Sequence, residues 1–291
     1  MKTILSSLSL ALLLLCACTA YAGADSPKSI HSGLLLGQIQ DHGAALLHSR
    51  QALMSDLIYG RVPESAPADP AWFDSAAFVG DSVSVMLEYY NNARHPLGNA
   101  AFFCLESLSA RNVMTAQPGS KRLPEWPKGS GLRPALPDGI AQSGATKIYF
   151  MLGINSISGG VDNAAKDLVT LIDSILAQSP EADVLIQSVA PMTADSPRAD
   201  DLLNNETIGQ YNRILADVCR ERGWYFVDSA QALTDEIGFL RADYSGDKAM
   251  GIHLNFSGAA AWAHYLLTHV PSALKERETT GAQGSRDRIS H

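Results

Sequence analysis

Cysteine is scarce in this chain: four in 291 residues, with Cys16 and Cys18 both inside an apolar stretch at the N-terminus. The remaining pair, Cys104 and Cys219, is too few for a disulfide-built scaffold. No Cys/His cluster has the spacing of a zinc site, so no metal is expected. Positive charge is also short. Twenty-two Lys and Arg against 30 Asp and Glu give a net charge of −8 and a pI near 5.4, which argues against nucleic acid as a partner. No apolar run reaches the roughly 20 residues of a bilayer-spanning helix. Neither a G-x-G-x-x-G fingerprint nor a P-loop occurs, so a nucleotide-binding reading is discarded and no cofactor is expected.

What is present begins with an export signal. Lys2 supplies the positive start, Ile4 to Leu15 the apolar core, and Ala20-Tyr21-Ala22 a small-x-small cleavage site. The run Leu15-Cys16-Ala17-Cys18 is open to two readings, a lipobox with Cys18 as the lipidated residue or simply small residues in a signal core. The expected location is extracellular or at the cell surface, with contact to a membrane only through an anchor at Cys18. Residues 23–71 read as a helical extension and connector. Apolar residues from Leu34 to Ile58 fall at helical spacing, and Val62 to Pro70 is rich in Pro and Ala. The last residues, 276–291, are polar and charged and read as a disordered tail.

Between them lies enough chain for one sizeable domain, residues 72–275. Short apolar runs alternate there with helical patterns. The predicted strands are Ala76–Gly80, Ala100–Cys104, Lys147–Leu152, Asp183–Ser188 and Trp224–Asp228. The predicted helices are Val83–Asn92, Asn163–Gln178, Asn205–Arg222 and Gly258–Leu267. Such alternation predicts an α/β fold with a parallel sheet covered on both faces. Gln117 to Asp138 interrupts the pattern with five prolines and the basic residues Lys121, Arg122, Lys128 and Arg133. It reads as a long loop, in which Trp126 and the basic residues either meet a substrate or stand in solvent. Cys104 and Cys219 read as two buried thiols, with pairing as the alternative.

Three short motifs sit at the ends of these elements. Gly80-Asp81-Ser82 follows the first strand and opens a helix, where free N–H groups face any developing negative charge. Gly153-Ile154-Asn155 ends the third strand, and Gly251-Ile252-His253 precedes the last helix. In this order they resemble the SGNH/GDSL hydrolase family, over about Trp72 to Pro271. The resemblance implies a flavodoxin-like three-layer α/β/α sandwich on a five-stranded parallel sheet. It also implies a serine esterase or acylhydrolase acting without a cofactor, on a small-molecule or glycan ester, as a monomer. Carbohydrate O-acetyl esters are one such substrate class.

The resemblance assigns Ser82 as nucleophile and His253 as its base, a pairing that suits imidazole chemistry at neutral pH. It assigns the oxyanion hole to the N–H of Ser82, the N–H at Ser107 and the amide of Asn155. Two departures stand out. The family has glycine where Ser107 stands, and a positive φ there would strain a serine. The family also has an aspartate three residues before the histidine, and Met250 occupies that place. Asp247, six residues before His253, is the expected partner. A Ser–His dyad is the alternative, with Asp243 and Asp228 as weaker candidates. These departures also leave open a binding module that has kept the fold and lost the activity.

Overall fold

The computed structural model describes residues 61–277; the signal segment, most of the helical extension and most of the tail lie outside it. Five apolar runs form strands because they are buried on both faces: β1 (Ala76–Gly80), β2 (Ala101–Cys104), β3 (Lys147–Met151), β4 (Asp183–Gln187) and β5 (Tyr225–Val227). All pair in parallel in the order β2-β1-β3-β4-β5. The chain leaves β1 for β2 on one side and returns to β3 on the other. This reversal makes a switch point at β1, where ligands bind in open α/β sheets. The register aligns Gly80 with both Cys104 and Met151. The segments following β1, β2 and β3 therefore emerge side by side at one edge.

Strand residues alternate between two cores. Ala77, Val79, Ile148, Phe150 and Ile186 face one layer, formed by α2 (Ala110–Thr115), α3 (Leu136–Ser143), α4 (Val161–Leu176) and α5 (Asn205–Arg222). Phe78, Tyr149 and Leu185 face the other, formed by α1 (Ser82–Arg94) and α6 (Phe256–Thr268). There Phe78 stacks on Tyr149 with ring centroids 4.7 Å apart. The parallel sheet is covered on both faces, as the alternation predicted, and the architecture is the three-layer sandwich that the resemblance implied. Cys104 belongs to the second core and Cys219 to the first, so the sheet separates them, and both thiols are free and buried.

The helices end where their caps dictate. Asn204 accepts hydrogen bonds from the N–H groups of Glu206 and Thr207 to open α5, and Gly223 closes it in the left-handed region. Arg61 and Val62 run beside β5, with the Val62 N–H donating to the Phe226 carbonyl at 2.9 Å, and so cover an edge of the sheet.

The long loop read at Gln117 to Asp138 is irregular as far as Ala135, with α3 beginning at Leu136. Its proline-rich part is packed down. Leu123 is fully buried, a contribution of about 1.5–3 kcal/mol for such a side chain. Trp126 lies against Phe103 at 4.7 Å between ring centroids. Lys128 pairs with Glu88 at 2.8 Å, and Arg133 donates to the Leu123 carbonyl.

Candidate active site

Asp81 bridges β1 and α1 and caps the helix, accepting from the Val83 N–H at 3.1 Å. Its carboxyl is almost wholly enclosed. Burial pushes its pKa up to about 7, against the downward pull of hydrogen bonds from Val83 and from its own N–H. Gly80 is required beneath it: a Cβ there would lie 2.0 Å from Ser84 Oγ on the first turn of α1. The close approach of strand and helix puts Ser82 at the first helical position, over the carboxyl edge of the sheet.

His253 reaches Ser82 from the far end of the chain, with Nε2 2.9 Å from Ser82 Oγ. Its Nδ1 contacts the carboxylate of Asp247. Burial would raise the Asp247 pKa, but hydrogen bonds from His253 and the N–H groups of Met250 and Gly251 outweigh it. The net result lies below the ordinary aspartate value, so the group is an anion at neutral pH and can only accept. Nδ1 therefore carries the ring proton, and Nε2 is left to accept from the Ser82 hydroxyl. The weaker candidates are engaged elsewhere: Asp243 with Arg241 at 2.7 Å, and Asp228 with Arg61 at 3.0 Å.

The six-residue spacing has a local cause. Lys248, Ala249 and Met250 form a turn that folds back on Asp247, whose side chain accepts from the Met250 and Gly251 N–H groups. Two residues after β4, which the sequence did not single out, hold this turn from outside. The Thr193 N–H donates to the Gly251 carbonyl at 2.9 Å, and Ser196 Oγ donates to the Met250 carbonyl at 2.5 Å. Gly251 has φ +67, and a Cβ there would lie 2.4 Å from Thr193 Oγ1. The glycine was the only trace of this packing in the sequence. His253 itself is held by the Gly246 N–H, which donates to its carbonyl at 2.8 Å.

Ser107 and Asn155 follow β2 and β3, the strands on either side of the β1 end that carries Ser82. Ser107 adopts φ +58, a left-handed conformation that costs a non-glycine residue about 1–2 kcal/mol. The conformation anticipated to strain a serine is thus present, and hydrogen bonds hold the chain on both sides of it. The Leu105 N–H donates to the Gly80 carbonyl at 3.2 Å, and Asn112 donates to the Ser107 carbonyl at 3.3 Å. Among the described residues the Ser107 N–H has no acceptor. Asn155 spends one amide hydrogen on the Leu108 carbonyl at 3.1 Å, which fixes the amide and leaves its second N–H available. The N–H groups of the first turn of α1 likewise lack a carbonyl within the helix. Three donors thus lie at one edge beside a hydroxyl that touches an imidazole. Such a set is equipped for acyl transfer. No group of three His, Cys, Asp or Glu side chains among the described residues is arranged to hold a metal ion.

Comparison with known proteins agrees with this fold. The model of the GDSL-like lipase/acylhydrolase family matches residues 78–261. Among solved structures, the chain is similar to a protein from Streptococcus pneumonia described provisionally as a platelet activating factor. That match has 18% identity and a TM-score of 0.50, and covers 77% of this chain and 97% of the other. It is similar also to a GDSL-like lipase from Bacteroides thetaiotaomicron, at 12% identity and a TM-score of 0.50, covering 66% and 84%. A candidate acylhydrolase from Bacteroides fragilis matches at 13% identity with the same TM-score, covering 66% and 83%. No curated protein matches the sequence.

Proposed function

This chain belongs to the GDSL-like lipase/acylhydrolase family, and from that premise we propose that it is a serine esterase whose acyl-enzyme forms on Ser82. The reading rests on one observation, the unbroken run of contacts from Ser82 Oγ to His253 Nε2 and from His253 Nδ1 to Asp247. In the proposed reaction His253 takes the Ser82 proton as Oγ attacks the ester carbonyl. Asp247 stabilises the imidazolium that results. The negative charge that develops on the carbonyl oxygen is received by the N–H of Ser82, the N–H of Ser107 and the Asn155 amide. His253 then passes its proton to the departing alcohol. Water, activated by the same imidazole, releases the acid and restores Ser82.

Asp247 supplies the carboxylate whose usual place Met250 occupies, which weighs against a binding module that has lost its chemistry. The export signal read at residues 1–22 would put the enzyme outside the cytoplasm. The polar side chains of Glu106, Asn112, Lys121 and Arg122, which line a cavity together with Ser107, favour short acyl groups on polar alcohols, carbohydrate O-acetyl esters among them.

Hydrolysis of p-nitrophenyl acetate tests the reading through Asn155. Asn155→Ala is expected to lower kcat by about 10²–10³ with KM little changed, because its hydrogen bond strengthens only in the transition state. An effect confined to KM would assign Asn155 to substrate binding and remove it from the oxyanion hole.

A further inference from the structure

Beside Ser107 lies an open cavity of about 470 Å³, lined by Leu105, Glu106, Leu108, Asn112, Lys121 and Arg122. Two of its walls come from the segment after β2 that carries Ser107, so the cavity adjoins the edge where Ser82 and Asn155 stand. Its third wall is the proline-rich excursion, anchored by buried Leu123 and by Trp126 on Phe103. The Gly119 N–H donates to the Arg133 carbonyl at 2.7 Å and closes the base of that excursion. Lys121 and Arg122 are therefore presented from a fixed piece of chain rather than from a free loop.

The excursion's four basic residues divide by use. Lys128 is bound to Glu88 and Arg133 to the Leu123 carbonyl and Glu125, and nearby Arg111 is bound to Asp167 at 2.9 Å. Lys121 and Arg122 have no ion-pair partner among the described residues, and both line the cavity. Glu106 on the same wall leaves two positive charges against one negative. In a chain of net charge −8, the lining of this cavity beside Ser107 thus carries one net positive charge. Local fields of this kind concentrate anions.

Resting on the esterase reading, we propose that Lys121 and Arg122 form a subsite for an anionic substituent, a carboxylate or phosphate, carried by the ester substrate. Arg122 offers the paired donors that match such a group, and Lys121 a point charge. Half-buried Leu105 gives the cavity an apolar patch for the carbon chain between that substituent and the ester. The anion sits on either the acyl or the alcohol side, and matched substrates separate the two.

The test compares p-nitrophenyl acetate with p-nitrophenyl hemisuccinate, anionic on the acyl side, and 4-acetoxybenzoate, anionic on the alcohol side. A Lys121→Gln/Arg122→Gln variant should lose about 10- to 100-fold in kcat/KM on one anionic ester while its rate on p-nitrophenyl acetate stays within twofold. Glu106→Gln should change the same ratio in the opposite direction, and added salt should erode the wild-type preference. Equal losses on neutral and anionic esters, or no loss on either anionic ester, would overturn the subsite. If wild-type protein hydrolyses none of the three, the esterase reading fails. The subsite is then read from binding of both anionic esters to Ser82→Ala protein by calorimetry. At least tenfold weaker binding of one ester after charge removal supports it, and unchanged or absent binding rejects it.

Discussion

Replacing Ser82 by alanine is expected to leave a folded protein that hydrolyses p-nitrophenyl acetate at close to the uncatalysed rate, a loss of about 10⁴-fold or more in kcat. The hydroxyl is the group in contact with His253 Nε2, at 2.9 Å, so no second side chain is aligned to take the acyl group. The side chain is also only half-buried at the first position of α1, where its removal opens no core cavity. Circular dichroism and a urea transition unchanged from wild type would separate loss of chemistry from loss of fold. Activity within tenfold of wild type in a folded variant would remove Ser82 from the mechanism.

Asp247→Asn is expected to have the next largest effect, on the order of 10³–10⁴ in kcat. The carboxylate accepts from three donors at once: His253 Nδ1 and the N–H groups of Met250 and Gly251. An asparagine keeps one oxygen and can hold the Lys248–Met250 turn with it. The NH₂ then faces Nδ1 and favours the tautomer with the proton on Nε2, where it cannot accept from Ser82. The anion that would stabilise the imidazolium is lost as well. The geometry of the loop should survive while the chemistry fails. A loss below about tenfold would instead favour a Ser–His dyad in which Asp247 only shapes the turn.

How much of this was legible in the sequence differs from residue to residue. The strands were legible because each is a short apolar run buried on both faces, and a run such as Ile148 to Met151 suits little else. The helices α1, α4, α5 and α6 carried periodic apolar faces and recognisable caps. α2 and α3 did not. The first is six residues long, and the second begins inside a proline-rich segment with Pro137 in its first turn, so neither shows a full helical period. Leu123 and Trp126 are isolated apolar residues among Pro, Gly and Lys. Their burial depends on Phe103 and its neighbours, which no local pattern announces.

The edge of the sheet was more readable than the loops around it. Ser82, Asn155 and His253 each follow a strand or precede a helix, so order alone brought them to one edge. The partner of His253 was ambiguous because spacing along a chain does not fix a turn. The decisive contacts come from Thr193 and Ser196, more than fifty residues upstream. Ser107 was identified as a departure, and it takes the positive φ that glycine would favour, in a stretch held by the bonds of Leu105 and Asn112.

The central claim, that Ser82 is a nucleophile activated by His253, is tested most directly by labelling with a fluorophosphonate and locating the adduct by peptide mass spectrometry. The account predicts a single adduct on Ser82 in the wild-type protein and little or none in a folded His253→Ala variant under the same conditions. An adduct elsewhere, or labelling of Ser82 at the wild-type rate without His253, would contradict it.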